Sequence, residues 1–261
     1  MIVSFADSIF VTIFAANQKF KHLDIQILDF SSDRNMLLFV FSVLTLTITY
    51  SLYWFLTHNI KFLRAIGGGK SSAGQWTARR LTGFVLMGVI PAILVYTFDL
   101  ISFSELGFNN SWDNEGWYWV LGVGAVTLLV SLGVAKKPVN LKSYPQIRES
   151  NWTTLTMVQE YGGWFLYLVG YEFLFRGLFL FGTIPVLGYT GAIAVNICAY
   201  SLAHMVKGWQ ETFGAIILGF IYAYVTIITG SLWFALFMHV FQAWSNSFFS
   251  FRNQEDMRYV S

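Results

Sequence analysis

The chain has 261 residues, 56% of them hydrophobic and only 11% charged, with a formal net charge of +2. A soluble domain carries about 25% charged residues, so the composition excludes an ordinary soluble domain and leaves a polytopic membrane protein. The net charge is uninformative because the charges are segregated by loop, and no nucleic-acid partner is expected.

A membrane span needs roughly 20 predominantly apolar residues. The first apolar stretch, 1–16, has no basic start and carries Asp7. It fits a cleaved signal peptide poorly and reads as a short span or an interfacial helix. Spans are predicted over 36–56, 81–101, 117–135, 163–182, 185–204, 212–229 and 232–251. The expected fold is therefore an all-α transmembrane helical bundle of seven spans, or eight if 1–16 crosses.

The loops carry an orientation signal. Lys61, Arg64, Lys70, Arg79 and Arg80 fall between the first two predicted spans, and Lys136, Lys137, Lys142 and Arg148 follow the third. The intervening loop, 102–116, has Glu105, Asp113 and Glu115 but no Lys or Arg. The positive-inside rule places the two basic loops in the cytoplasm. The one cysteine, Cys198, lies in an apolar run and reads as a small packing residue. Residues 1–150 read as N-terminal helices, 151–251 as the motif-bearing core of one membrane domain, and 252–261 as a frayed polar tail.

Gly163, Gly170 and Gly177 recur every seven residues. On a helix they form one smooth stripe, which either lets a neighbour approach closely or reflects ordinary glycine use in membrane helices.

Charged residues in hydrocarbon cost several kcal/mol unless paired or facing a cavity, so they mark candidate sites. Glu172 and Arg176 stand at i and i+4, where their side chains meet on one helix face. Arg176 cannot lose its proton, so its natural role is to hold a carboxylate ionised and oriented. His204 taken alone reads as a cap or packing residue. His239 lies near mid-span, where a polar group needs a partner. Together these groups suit water activation: an imidazole takes the proton, a carboxylate assists, and a second imidazole faces the oxyanion. Ser201 and Ser231 lack a nucleophile's spacing. No cofactor is expected, although Glu172, His204 and His239 leave a two-histidine, one-carboxylate metal site open.

The motif Tyr171-Glu172-x-x-x-Arg176-Gly177 is followed by Tyr200 four residues before His204. Thr229-Gly230-Ser231-Leu232-Trp233 then leads into His239. This series resembles the CPBP family, the CAAX-protease and bacteriocin-processing (Abi) group of intramembrane peptidases, over about 152–251. Lys207 and Glu211 after His204 resemble a bacterial branch of it, which implies the bacterial cytoplasmic membrane. The resemblance implies a helical bundle with a membrane-embedded cavity. It also implies two adjacent glutamates, of which the first works with the second-motif histidine on water. The third-motif histidine and an asparagine one turn later stabilise the oxyanion, while the second glutamate and the arginine are structural.

This chain departs twice from that pattern. Tyr171 replaces the first glutamate, and Ala243 replaces the asparagine. A phenol is a poor base at neutral pH but can hydrogen-bond water. Glu172 points about 100° away from Tyr171, so it is no simple substitute. Glu211 reads as an interfacial charge at the next helix start, or as an assisting carboxylate. The predicted spans also leave His204 about 12 Å out of level with Glu172, taking 1.5 Å per residue.

Three functions follow. The first is an endopeptidase acting on membrane-anchored peptides or protein tails, with Glu172, His204 and His239 converging on a hydrated cavity. The second is a catalytically degenerate relative serving as partner or scaffold to another integral membrane protein or lipid. The third, a transporter, lacks inverted repeats and paired broken helices.

Overall fold

The computed structural model describes residues 33–109 and 112–260. The predicted first stretch, 1–16, lies outside them.

Helix α1 (Arg34–His58) starts on the Asp33 side chain, which accepts from the Asn35 and Met36 amides. Such a cap answers backbone donors that the first turn leaves free. A short α2 (Ile60–Ile66) follows, capped by Asn59. Helix α3 (Ser72–Phe84) runs through a π-helical turn, Val85–Val89, into α4 (Ile90–Phe98). This rod begins nine residues before the predicted span, so Arg80 is a buried helical residue and not part of a loop. Helix α5 (Asn114–Val134) and short α6 (Pro138–Ser143) lead to strand β1 (Asn151–Trp152).

Helix α7 (Thr154–Glu172) opens with a Thr153 capping box and passes without a break into a π-helix, Phe173–Phe181, then α8 (Gly182–His204). As one rod these residues and the 3₁₀ turn Met205–Lys207 would make a 54-residue element. At 1.5 Å per residue it would be about 81 Å long, far more than a bilayer. The rod is broken at Gly188, whose φ of 65° and ψ of 174° suit glycine alone. The two limbs fold back on each other: the Asn196 amide donates to the Phe175 carbonyl at 2.7 Å, and Tyr200 lies against Arg176.

Helix α9 (Trp209–Thr229) ends at Gly230, and α10 (Trp233–Arg252) completes the bundle. Helices α1, α3–α4, α5, α7–α8 and α9 are long and apolar enough to cross a membrane. Helix α10 has the length, but its buried Ser245, Ser247 and Ser250 face its neighbours. The protein is an integral membrane protein built as an all-α bundle. The tail is not frayed as expected: β2 (Arg258–Tyr259) pairs in parallel with β1.

The α7–π limb is central. Every residue from Phe173 to Leu180 is buried. At Gly170 a Cβ would lie 3.1 Å from the Gly88 nitrogen and the Phe84 Cα. Gly163 and Gly170 thus lie against the α3–α4 rod, the first of the stripe's two readings, whereas an added Cβ at Gly177 would meet the Leu106 carbonyl and Leu232.

The basic-loop face is tied by a second buried ion pair. Arg80 Nη2 meets Glu160 Oε2 at 2.8 Å and Gln146 Oε1 at 3.0 Å. Trp164 Nε1 and Ser247 Oγ donate to the other Glu160 oxygen. On the opposite face the 99–109 loop tucks under the bundle, with Asn109 Nδ2 donating to the Gly230 carbonyl at 2.7 Å.

Candidate active site

Glu172 is the last residue of α7 and fully buried. Its Oε2 faces Arg176 Nη1 at 3.4 Å, and its Oε1 accepts from His239 Nδ1 of α10 at 2.5 Å. The carboxylate thus binds two helices with one charge. The predicted i, i+4 pairing is present, and the second partner comes from a distant helix.

Arg176 is stacked over the ring of Tyr200 at 4.0 Å and within 5.5 Å of the Tyr222 ring. A buried cation over aromatic faces gains from the ring quadrupole where water cannot reach it. Tyr200 passes this packing on to His204: their rings are 4.5 Å apart, and His204 Nδ1 lies 2.9 Å from the Tyr200 carbonyl.

Tyr171 stands between the two histidines. Its ring centroid is 6.4 Å from His204 and 5.9 Å from His239, both edge-on, and its other face stacks on Phe175 at 4.4 Å. Its hydroxyl is buried without a hydrogen-bond partner among the described residues. The expected offset of His204 from Glu172 is absent. The hairpin turns at Gly188, later than the predicted boundary at 182–185, and this brings the limbs level. Past His204 the chain makes one 3₁₀ turn before Gly208 starts α9.

Glu172, His204 and His239 therefore gather around Tyr171 and Tyr200. The Glu172 side chain has no exposure, whereas His239 keeps 13% of its surface and His204 is half-buried. Two apolar hollows of about 390 and 290 Å³ lie elsewhere, lined by residues such as Phe84 and Phe103 or Phe41 and Leu52. None of the three candidate residues lines either hollow. Among the described residues no three His, Cys, Asp or Glu side chains are grouped as metal ligands.

Glu211 turns toward Lys207 Nζ at 3.5 Å and accepts from the Tyr144 hydroxyl at 3.0 Å. It is bonded to neither histidine. Burial, above all, pushes the Tyr144 phenol up to about 12, so it stays a donor to Glu211 at ordinary pH. Ala243 sits among Trp164, Leu168 and Val240, an apolar setting with no substitute for an amide.

Sequence reasoning missed Tyr222 and Gln242. The Tyr222 hydroxyl donates to Gln242 Oε1 at 2.8 Å, and its ring is 5.5 Å from that of His239. Gln242 stands three residues after His239, a polar neighbour in an apolar helix that offered a signal. Tyr222 offered none, being one aromatic among many.

Residues 154–245 match the family model of the Rce1-like proteins, described as type II CAAX prenyl endopeptidase Rce1-like. The match spans the whole cluster from α7 to α10 and contains every residue named at its centre. No curated protein and no solved structure matches the chain.

Proposed function

We propose, on the premise that residues 154–245 belong to the Rce1-like CPBP family of membrane endopeptidases, that the chain hydrolyses peptide bonds of membrane-anchored peptides or protein tails. The observation that carries this reading is the placement of His204 and His239, from different helices, on either side of Tyr171, with both imidazoles retaining accessible surface. Two imidazoles so placed can together hold and deprotonate a water beside the carbonyl under attack. Accessibility increases toward the basic-loop face, where Lys207 and Glu211 are 36% and 30% exposed. With that face in the cytoplasm, as the positive-inside rule has it, substrates are tails presented from the cytoplasmic side of a bacterial inner membrane.

The test is cleavage of a quenched, acyl- or prenyl-anchored peptide by purified protein in liposomes. Wild type cuts, and His204→Ala and His239→Ala are each slowed by about 10²–10⁴-fold, the usual loss for a proton-transfer group. Equal cleavage by His204→Ala removes the reading.

A second reading rests on Tyr171 and Ala243. Both depart from the family's catalytic pattern, and the Glu172 charge is already shared between Arg176 and His239. On that reading the chain is a partner or scaffold for another membrane protein. Both histidine variants then keep the biological role at normal expression.

A further inference from the structure

We infer that Tyr171 is the hydrogen-bond donor to the oxyanion and that Glu172 positions His239 as the base, exchanging the roles that the family pattern suggests for positions 171 and 239. This inference rests on the endopeptidase reading. It starts from proton placement. A carboxylate and a main-chain carbonyl only accept hydrogen bonds. His239 Nδ1, at 2.5 Å from Glu172 Oε1, therefore carries its proton, and so does His204 Nδ1, at 2.9 Å from the Tyr200 carbonyl. A neutral imidazole at either position is then left with a lone pair on Nε2. Each can receive a proton, and neither can donate to an oxyanion.

The two are not equal as bases. The imidazolium formed at His239 has the Glu172 carboxylate directly on Nδ1, whereas that at His204 has only a neutral carbonyl there. The groups around His239 are Glu172, Arg176 and Tyr171 on the α7–π limb. Tyr200, His204 and Lys207 lie on α8 and the turn after it, and Tyr222 is on α9. Arg176 and Lys207 oppose a second positive charge, and Glu172 is the carboxylate that offsets them.

The missing donor is then sought nearby. Ala243 offers none, and the Tyr222 hydroxyl is taken by Gln242. The Tyr171 hydroxyl is buried, unpartnered, and carried on a ring within 6.4 Å of both imidazoles. Its stacking on Phe175 holds that ring without engaging the oxygen.

In the resulting step, His204 Nε2 accepts one hydrogen of the water and aligns it, and His239 Nε2 takes the other as the water oxygen bonds to the peptide carbonyl carbon. The carbonyl π pair moves onto oxygen, which accepts a hydrogen bond from Tyr171. On collapse the C–N bond breaks, and the His239 Nε2 proton passes to the departing amine. The carboxylic acid so formed passes its remaining proton to the amine, leaving a carboxylate tail and an ammonium group.

The experiment uses the full-length protein in liposomes with the same acyl-anchored quenched peptide. Tyr171→Phe keeps the stacked ring and removes only the hydroxyl. It should lower kcat by about 10²–10³-fold with KM little changed, the usual loss for one oxyanion donor. Tyr161→Phe, which removes another buried, unpartnered hydroxyl ten residues before Tyr171 on α7, should stay close to wild type. Glu172→Gln should lower kcat in the wild-type background and add nothing once His239 is Ala, because positioning residues act only through the group they hold. A Tyr171→Phe protein with kcat within threefold of wild type overturns the inference, as does an equal loss in Tyr161→Phe. A wild type that cuts nothing instead overturns the endopeptidase reading, and this inference with it. Circular dichroism of each variant separates lost chemistry from lost fold.

Discussion

Glu172 precedes Gly188 by sixteen residues and His204 follows it by sixteen, so the hairpin sets carboxylate and imidazole at the same level of the bundle. Gly188 is therefore a hinge of the site. With no atom within 4 Å of an added Cβ, the cost of Gly188→Ala is purely one of backbone conformation. A non-glycine residue in that region costs about 1–3 kcal/mol. The expected outcome is a lower melting temperature in detergent together with reduced peptide cleavage. Unchanged melting would remove the hinge role.

Gly170 tests the helix crossing. Gly170→Ala places a methyl 3.1 Å from the backbone of the opposing rod, which has no flexible side chain there to yield. Overpacking of this kind costs about 1–3 kcal/mol. Gly122, where an added Cβ meets nothing within 4 Å, is the control and should tolerate Ala. Equal stability of the two variants would argue against a tight crossing.

Arg80 and Glu160 form the second buried pair, 2% and 0% exposed. Removing one partner strands the other charge, at a cost of about 3–5 kcal/mol. Glu160→Ala and Arg80→Ala should each destabilise strongly, and the double variant should be less unstable than the sum. Simple additivity in thermal unfolding would show that the two do not act as a pair.

The tail carries a cheaper prediction. The Arg258 amide donates to the Ser150 carbonyl and the Val260 amide to that of Trp152. Trp152 is fully buried and packs on Phe251 at 4.6 Å. Deleting 257–261 should expose this corner, seen as faster proteolysis near 144–152 and a red-shifted tryptophan emission. Identical proteolysis patterns would make the strand pairing dispensable.

Glu105 supplies the pH test on the opposite face. Hydrogen bonds from the Ser102 hydroxyl and amide hold its carboxyl below the usual range. A group whose folded pKa is depressed lends stability above its ordinary value, near 4.5, and loses it as pH falls through the folded value. The 99–109 loop should loosen in acid, with an increase in limited proteolysis that Glu105→Gln shows already at neutral pH. A loop equally resistant at pH 7 and pH 3 would contradict this.

Much was legible from residue chemistry alone. Charge scarcity and apolar run length imply a helical membrane bundle, because hydrocarbon leaves the backbone few other ways to satisfy its polar groups. The i, i+4 spacing alone puts Glu172 beside Arg176, because a helix repeats every 3.6 residues. Tertiary structure decided the rest. That Glu172 also holds His239, that Arg80 finds Glu160, and that β2 ties the tail are contacts between residues 67 to 107 positions apart, which no local periodicity encodes. The level of His204 depended on where one glycine turns the chain. A turn displaced by a few residues moves every contact beyond it, so the site emerges only when both limbs of the hairpin are in place.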